Sequence, residues 1–441
     1  MKKSILHIGF DDTDSRKGMC TTFLAFKIVE HLRKKRVRFV DYPYLIRFNP
    51  NIPWKTRGNG AVALKVQTAR PELVKRSVIK FVRKYSAIGE GANPGLAFYE
   101  SDRIPEEFVK FGRAALHTLV NRNEAKRFAA RNRIETFYMG NGQGLVGAIG
   151  AIGYAFYDHT FELITYRNRS NLGKKRIILK DSVRRMQEET FPRTFNSYDD
   201  SRGRILIAPH GPDPVLFGIR GEDVGSVVRG ASLVRSGERL SGYMVFRSNQ
   251  GTGSHLQNEL DMGNLRPYSS GYVEGEVSKE PVTTEGGHVM FSISRSGREA
   301  RCAVYKPTGL GAVASRLMRG DVIRVGGGVR RASKTHGRTI NVEFISVSKL
   351  AKSTALANPV CVRCNKHMKS KGRGQGFKCI RCGAISTAKV ERPVPRAIGK
   401  RLYLPVPSAH RHLTRPLQRI NRVNAEVTFD RSAKWFRNLK G

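Results

Sequence analysis

Residues 11 to 14 read Asp-Asp-Thr-Asp, directly after the apolar run "SILHIGF" (4–10) and shortly before "GMCTT" (18–22). Three carboxylates within four positions repel one another unless a cation sits among them, and magnesium bridging nucleotide phosphates is the usual reason for such a cluster. Loops at the C-terminal ends of strands are where α/β folds place ligands, and the helix that "GMCTT" opens offers free N–H groups and a positive dipole end to a phosphate. The pattern therefore reads as a metal-and-phosphate loop, with Asp11, Asp12 and Asp14 on the metal and Gly18, Thr21 and Thr22 on the phosphates. Thr21 or Thr22 is either a helix cap or an acceptor of phosphoryl. Neither a Walker A sequence nor a protein-kinase motif is present, so spacing alone goes no further.

A second set of residues has metal chemistry. Cys361, Cys364, Cys379 and Cys382 form two C-x-x-C pairs separated by 14 residues, which lets four thiolates close a tetrahedron around zinc. A closed four-cysteine set is structural, since it leaves no coordination position for substrate. Cys20 and Cys302 stand apart, and Cys302 alternates within a strand pattern as a core residue does. This cysteine usage points to a reducing compartment, the cytoplasm, and not to a disulfide scaffold.

The chain around these residues is strongly basic. Its 79 Lys+Arg against 36 Asp+Glu give a formal charge of +43, far beyond what solubility needs, so a polyanionic partner is expected and nucleic acid leads. No stretch approaches the roughly 20 apolar residues that would span a membrane, and neither a basic amphipathic helix nor a lipidation signal marks a membrane surface. From residue 351 onward 21 bases face three acids, with Tyr403, His410, Trp435 and Phe436 interspersed. That mixture suits a phosphate backbone and unstacked bases; the bland alternative is a disordered basic tail.

The elements that must position these groups follow from periodicity. Residues 1–140 alternate strand and helix patterns and predict an α/β domain. From 141 to 255, strand "TFELITYR", helix "KDSVRRMQEETF", strands "RILIAPHG" and "PVLFGIR", helix "EDVGSVVRGASLV" and strand "GYMVFRS" give the β-α-β-β-α-β order of a ferredoxin-like domain. The preceding "GLVGAIGAIGYAF", apolar with small residues, reads as a closely packed helix or a strand, with helix favoured. Five strands over 256–350, with a helical stretch "GAVASRLM" between the third and fourth, match an OB-fold, a barrel that binds single-stranded nucleic acid. A zinc ribbon (351–395) and a basic C-terminal tail (396–441) complete the α/β and α+β multidomain reading. The polar loop "NPNIPWKTRGNG" makes Asn49, Lys55, Arg57 and Asn59 candidates for substrate contact. Asp158, His159 and Arg220 are candidates for the cleft between the first two domains.

The segments "GFDDTDSRKGMCTTFLA", "IRFNPNIPWKTRGNGAVAL", "DHTFELITYR", "VLFGIRGE" and "FRSNQGTGSHL" together make the chain resemble the archaeal tRNA-Ile 2-agmatinylcytidine synthetase (TiaS) family over nearly its whole length. The resemblance implies a kinase-like domain, a ferredoxin-like domain, an OB-fold and a zinc ribbon in that order. It also implies an ATP-dependent ligase that couples agmatine to the 2-position of the wobble cytidine of an isoleucine tRNA, so that AUA is decoded. ATP is cleaved there to AMP and pyrophosphate, the γ-phosphate activates the cytidine and agmatine displaces it. Autophosphorylation falls on Thr21, and Asp11, Asp12 and Asp14 match the metal-binding loop. Lys55 and Arg57 are suited to neutralising phosphate charge. Agmatine, a dication, needs carboxylates, for which Asp213, Glu222 and Asp223 are available. Two other readings compete: a non-catalytic single-strand binder built on the OB-fold and zinc ribbon, and a phosphotransferase for a small metabolite. The latter leaves the basic C-terminal half without a purpose.

Overall fold

In the computed structural model, which describes residues 3–334 and 336–439, the run before the acidic turn becomes strand β1 (Ser4–Asp11), with Leu6, Ile8 and Phe10 fully buried. It pairs with β3 (Gly60–Thr68) and β4 (Gly95–Glu100), which are flanked in turn by β2 (Tyr44–Arg47) and β5 (Glu135–Tyr138). Helix α1 (Thr21–Lys34) buries Leu24, Ile28 and Leu32 at helical spacing. Helices α2 (Pro71–Tyr85), α3 (Glu106–His117) and α4 (Arg122–Arg131) follow, α2 opened by proline at its first position. The small-residue run is helix α5 (Leu145–Ile152), laid against β1. Gly9 makes that approach close: a Cβ on it would lie 2.0 Å from the Ala148 carbonyl oxygen.

The next elements are β6 (Thr160–Arg167), α6 (Lys180–Thr190), β7 (Thr194–Phe195), β8 (Val215–Gly221), α7 (Val224–Leu233) and β9 (Leu240–Ser248). The two regions share one eleven-stranded sheet whose main path runs β5-β4-β1-β3-β2-β9-β6-β8-β7. The seam is a short parallel pairing, Arg247 beside Tyr44 and Ser248 beside Leu45. Asn249 staples it, accepting from the Arg47 N–H at 2.8 Å and donating to the Arg47 carbonyl at 2.9 Å. The β9-β6-β8-β7 half has the expected ferredoxin-like order, with one correction. Its edge strand is β7, not "RILIAPHG". Only Arg204–Ile205 of that run is strand, in a separate ladder with Tyr198–Asp199, because Pro209 and Gly211 break the alternation and turn the rest toward the cavity described below.

Strands β10 (Ser270–Thr283), β11 (Val289–Arg295), β12 (Arg298–Val304), β13 (Val322–Arg330) and β14 (Thr339–Lys349) form the barrel. It closes by a parallel pairing of β12 with β14 (Cys302 beside Ile340), around a core that includes Cys302. The helical stretch between β12 and β13 is a single turn, Gly311–Ala314. The zinc ribbon leaves and rejoins the barrel through a ladder of Thr354–Ala357 with Val390–Pro393 and through β15 (Leu402–Tyr403), which pairs with β14.

The segment after β15 is not a free tail. It runs back over the eleven-stranded sheet as a strap and ends as β16 (Phe436–Asn438), paired with β9. Arg419 is wholly buried; it bonds Asp158 at 2.9 Å and Glu222 at 2.8 Å, and Arg415 adds a 2.7 Å bond to Asp158. Trp435 is 2% exposed and packs edge-on to Phe39, with the Arg33 guanidinium over its ring. Trp435 and Phe436 are therefore core anchors, not platforms for RNA bases. The apolar area they bury, with two paired guanidiniums, offsets the ordering cost that the prolines and bases of this segment would otherwise leave unmet. Among the described residues no helix is long and apolar enough to cross a membrane.

Candidate active site and zinc centre

The acidic turn opens onto a cavity of about 710 Å³ between the two halves of the large sheet, also lined by the 52–60 loop, the 204–213 loop and the strap. Asp11 ends β1 beneath α5. Gly147 makes room for it, since a Cβ there would lie 1.9 Å from Asp11 Oδ2. Burial, and then the neighbouring Asp12 and Asp14 charges, push the Asp11 pKa well above the carboxylate range against the Asp12 N–H and Arg47. Asp12 is held at φ +55°, a left-handed conformation that aspartate tolerates. Burial and the Asp14 charge raise its pKa to about 6, against hydrogen bonds from Asn93. Asp14 is raised chiefly by burial, against Arg57 at 3.5 Å and the Thr56 hydroxyl at 3.2 Å.

Thr21 and Thr22 are the first two residues of α1, and the cap position is Cys20, whose side chain makes no capping bond. Neither threonine is a cap, which removes that alternative. Their hydroxyls have different partners: Thr21 Oγ1 receives a bond from the Thr13 hydroxyl at 3.1 Å, while Thr22 Oγ1 lies 3.1 Å from the Cys20 sulfur. Burial lifts the Cys20 thiol to about 11, so it remains protonated at neutral pH.

Lys55 lines the cavity and has no ion-pair partner among the described residues; its ammonium donates to the Arg57 carbonyl at 3.2 Å. Burial lowers its pKa, followed by the Arg411 and Arg16 charges. Arg57 lines the same space but is a staple. It bridges Asp14 and Asp213, at 3.5 and 3.4 Å, and donates to the Ser15 and Gly18 carbonyls at 2.7 and 3.1 Å. Gly18 acts through that carbonyl, and nothing lies within 4 Å of a Cβ built on it. Asn59 lines the cavity and donates to the Asn49 carbonyl at 2.8 Å. Asp213 faces the cavity with its carboxylate tied to Arg57 and to Arg176 at 3.2 Å.

Other candidates have structural duties. Asn49 is fully buried and clamps the first domain to the barrel, donating to Tyr268 O at 2.7 Å and Thr118 O at 3.2 Å. Asp158 is the anchor of the strap, and His159 is buried near Arg247; neither lines the cavity. Glu222 serves Arg419, and Asp223 caps α7 through the Ser226 N–H at 2.8 Å. Arg220 does reach the cavity, between Glu162 at 3.3 Å and His412 Nδ1 at 3.0 Å. Sequence reasoning missed Glu162 and His412. A lone acid inside the apolar "TFELITYR" was a usable signal for the first; nothing local marked the second. Burial among Arg47, Arg220 and Lys55 drives the His412 pKa far down, so its ring is neutral.

The four ribbon cysteines place their sulfurs within 4.8 Å of one another. Backbone N–H groups of Cys382 and Arg381 lead the effects that pull the Cys379 thiol down to about 7. A converged four-sulfur set fits zinc. The three aspartates form no such converged set among the described residues.

An α/β body with an acidic turn opening onto a cavity, coupled to an OB-fold barrel and a zinc ribbon, has the architecture of a multidomain enzyme of the kind that modifies RNA. Family models match in three places: the TiaS TCKD domain over residues 7–76, the TiaS FLD domain over 142–255 and the TiaS C-terminal zinc ribbon domain over 358–398. The isoleucine-tRNA 2-agmatinylcytidine synthetase TiaS of Cenarchaeum symbiosum is 50% identical over 430 residues, covering 98% of this chain and 96% of its own. That of Methanosarcina mazei is 39% identical, with 94% and 97% covered. A solved complex of TiaS with its isoleucine tRNA and ATP superposes with a TM-score of 0.82 at 33% identity, over 97% of this chain and 100% of that one. A complex of TiaS with the same tRNA, AMPCPP and agmatine gives 0.81 at 32%, with the same coverage. The chain belongs to the TiaS family.

Proposed function

We propose that this protein is a cytoplasmic ATP-dependent ligase that joins agmatine to the 2-position of the wobble cytidine of an isoleucine tRNA. The observation that carries the reading at residue level is one cavity that collects Asp11, Asp12, Asp14, Thr21 and Lys55. A cytosine 2-carbonyl is a poor electrophile, so its oxygen must first become a leaving group, and phosphorylation achieves that. Residues 1–140 handle ATP and 141–255 close the other side of the pocket. The barrel (256–350) and ribbon (351–395) grip RNA, since the cytidine must leave its stack to enter. Asp11, Asp12 and Asp14 would hold magnesium, whose charge offsets that of the phosphates; one or two carboxylates plus substrate oxygens are its usual ligands. Lys55 meets phosphate charge, while Arg57 keeps the turn and Asp213 in register. Asp213 and Glu162 are the acids at hand for a dication.

The test is mass analysis of two transcripts of the isoleucine tRNA, one with cytidine and one with uridine at the wobble position, incubated with ATP and agmatine. The cytidine transcript gains an agmatine adduct, the uridine transcript does not, and Asp12→Asn abolishes the gain. An unmodified cytidine transcript would sink the reading. So would an adduct on uridine, which would show that the pocket selects something else.

A further inference from the structure

We propose that Thr13, between the metal-loop aspartates, is a positioning residue that sets the hydroxyl of Thr21 for phosphoryl transfer; this rests on the reading of Thr21 as the acceptor. Thr13 is 1% exposed and does not line the cavity, so it touches no substrate. Its hydroxyl donates to Thr21 Oγ1 at 3.1 Å. In the transfer, the Thr21 Oγ1–P bond forms as the P–O bond to the departing nucleotide phosphate breaks, and the hydroxyl proton leaves to a carboxylate of the turn. Oγ1 must therefore aim a lone pair at phosphorus and its own hydrogen at that carboxylate. A threonine at a helix start has more than one accessible rotamer and can turn its hydroxyl onto local backbone instead. A bond received from Thr13 occupies the other lone pair and forbids the Thr21 hydrogen from pointing that way.

Thr13 is well placed to be rigid. Its carbonyl accepts from the Ala87 N–H at 3.0 Å, Asp12 before it is locked in the left-handed region, and Asp14 after it is held by Thr56 and Arg57. The neighbouring Thr22 lacks this arrangement, its hydroxyl lying against the Cys20 sulfur. The two adjacent threonines thus differ in partner, a buried hydroxyl donor for Thr21 and a thiol for Thr22.

The experiment uses the full chain with ATP and magnesium, and compares wild type, Thr13→Val and Thr13→Ser. Phosphate on the Thr21 peptide is followed by mass spectrometry, alongside kcat and KM for ATP in tRNA modification and the melting temperature. Valine keeps the shape and removes the donor, and the expected result is a loss of about 10- to 100-fold in the rate of Thr21 phosphorylation and in kcat. KM for ATP stays within about twofold, as expected of a group away from the ligand, and serine restores most of the rate. Phosphorylation of the valine variant at the wild-type rate overturns the proposal. A loss that serine does not rescue, accompanied by a lower melting temperature, also overturns it. If wild type carries no phosphate on Thr21 and Thr21→Val still modifies tRNA, the acceptor reading itself has failed and the proposal falls with it.

Discussion

At the zinc ribbon four sulfurs already stand within 4.8 Å of one another, whereas the three aspartates of the amino-terminal turn do not converge. The ribbon's thiols come from two knuckles with little else to hold them: the local core is Cys361, Met368, Phe377 and Cys379. The turn is gripped from all sides, by Arg57, Thr56, Asn93 and the glycine-lined face of α5. The difference separates a site whose ligand atoms already converge from an acidic turn that the surrounding scaffold holds apart. In the first, ligand geometry is complete and scaffold is minimal. In the second, the scaffold is complete and holds carboxylates buried beside like charges, at a cost in stability.

Zinc removal gives the largest expected effect. Structural zinc contributes on the order of 10 kcal/mol to a small site of this kind, so chelation, or Cys379→Ser, unfolds the ribbon locally. Hydrogen exchange protection disappears over residues 358–398 while the eleven-stranded sheet keeps its own. Binding of tRNA weakens, and nucleotide binding, read by calorimetry, changes by less than about twofold because the ribbon contributes no residue to the cavity. Loss of protection in the sheet as well would show that the ribbon scaffolds the catalytic half.

Next in size is the strap. Arg419→Ala leaves the buried Glu222 without its ion pair and Asp158 with Arg415 alone, and is expected to cost about 3–5 kcal/mol in denaturant unfolding. The exposed pair Arg298–Asp261, at 63% and 57% side-chain exposure, contributes at most about 1 kcal/mol by the same measurement. Equal costs for the two would mean that the strap is not clamped by its charges.

Much of this was legible beforehand because it is local. β1, α1, α2 and the five barrel strands follow periodicity, and the cysteine spacing specifies its own geometry. What escaped was non-local. The bases from Arg411 to Arg419 carry no mark in sequence that their partners are Glu343, Asp158 and Glu222, acids some 70 to 260 positions away. Asp158 and Asn49 were misassigned for the same reason, since a buried polar side chain that fastens domains has the same composition as one that meets substrate. Edge strand β7 was missed because two residues carry no period.

The smallest effect sharpens the comparison most, because its sign differs between the two sites. Burial and the Asp14 charge raise the Asp12 pKa to about 6 from its ordinary value of 3.8. The folded chain thus binds that proton more tightly, so its contribution to stability falls as pH rises from about 4 through 6, and the penalty is complete above 6. Asp12→Asn removes the penalty and is expected to raise stability at pH 7.5 by on the order of 2 kcal/mol, while ending ATP-dependent turnover. Neutral buried His7, His117 and His159, each lowered to about 4 chiefly by burial, act in the opposite direction as pH falls below 6.5. The informative quantity is therefore the difference between wild type and Asp12→Asn across pH 5 to 8, in which the histidines cancel. A difference that narrows toward pH 5 identifies a carboxylate held at a cost for its ligand. A flat difference would mean that Asp12 is already compensated in the resting enzyme, and the contrast with the zinc site would disappear.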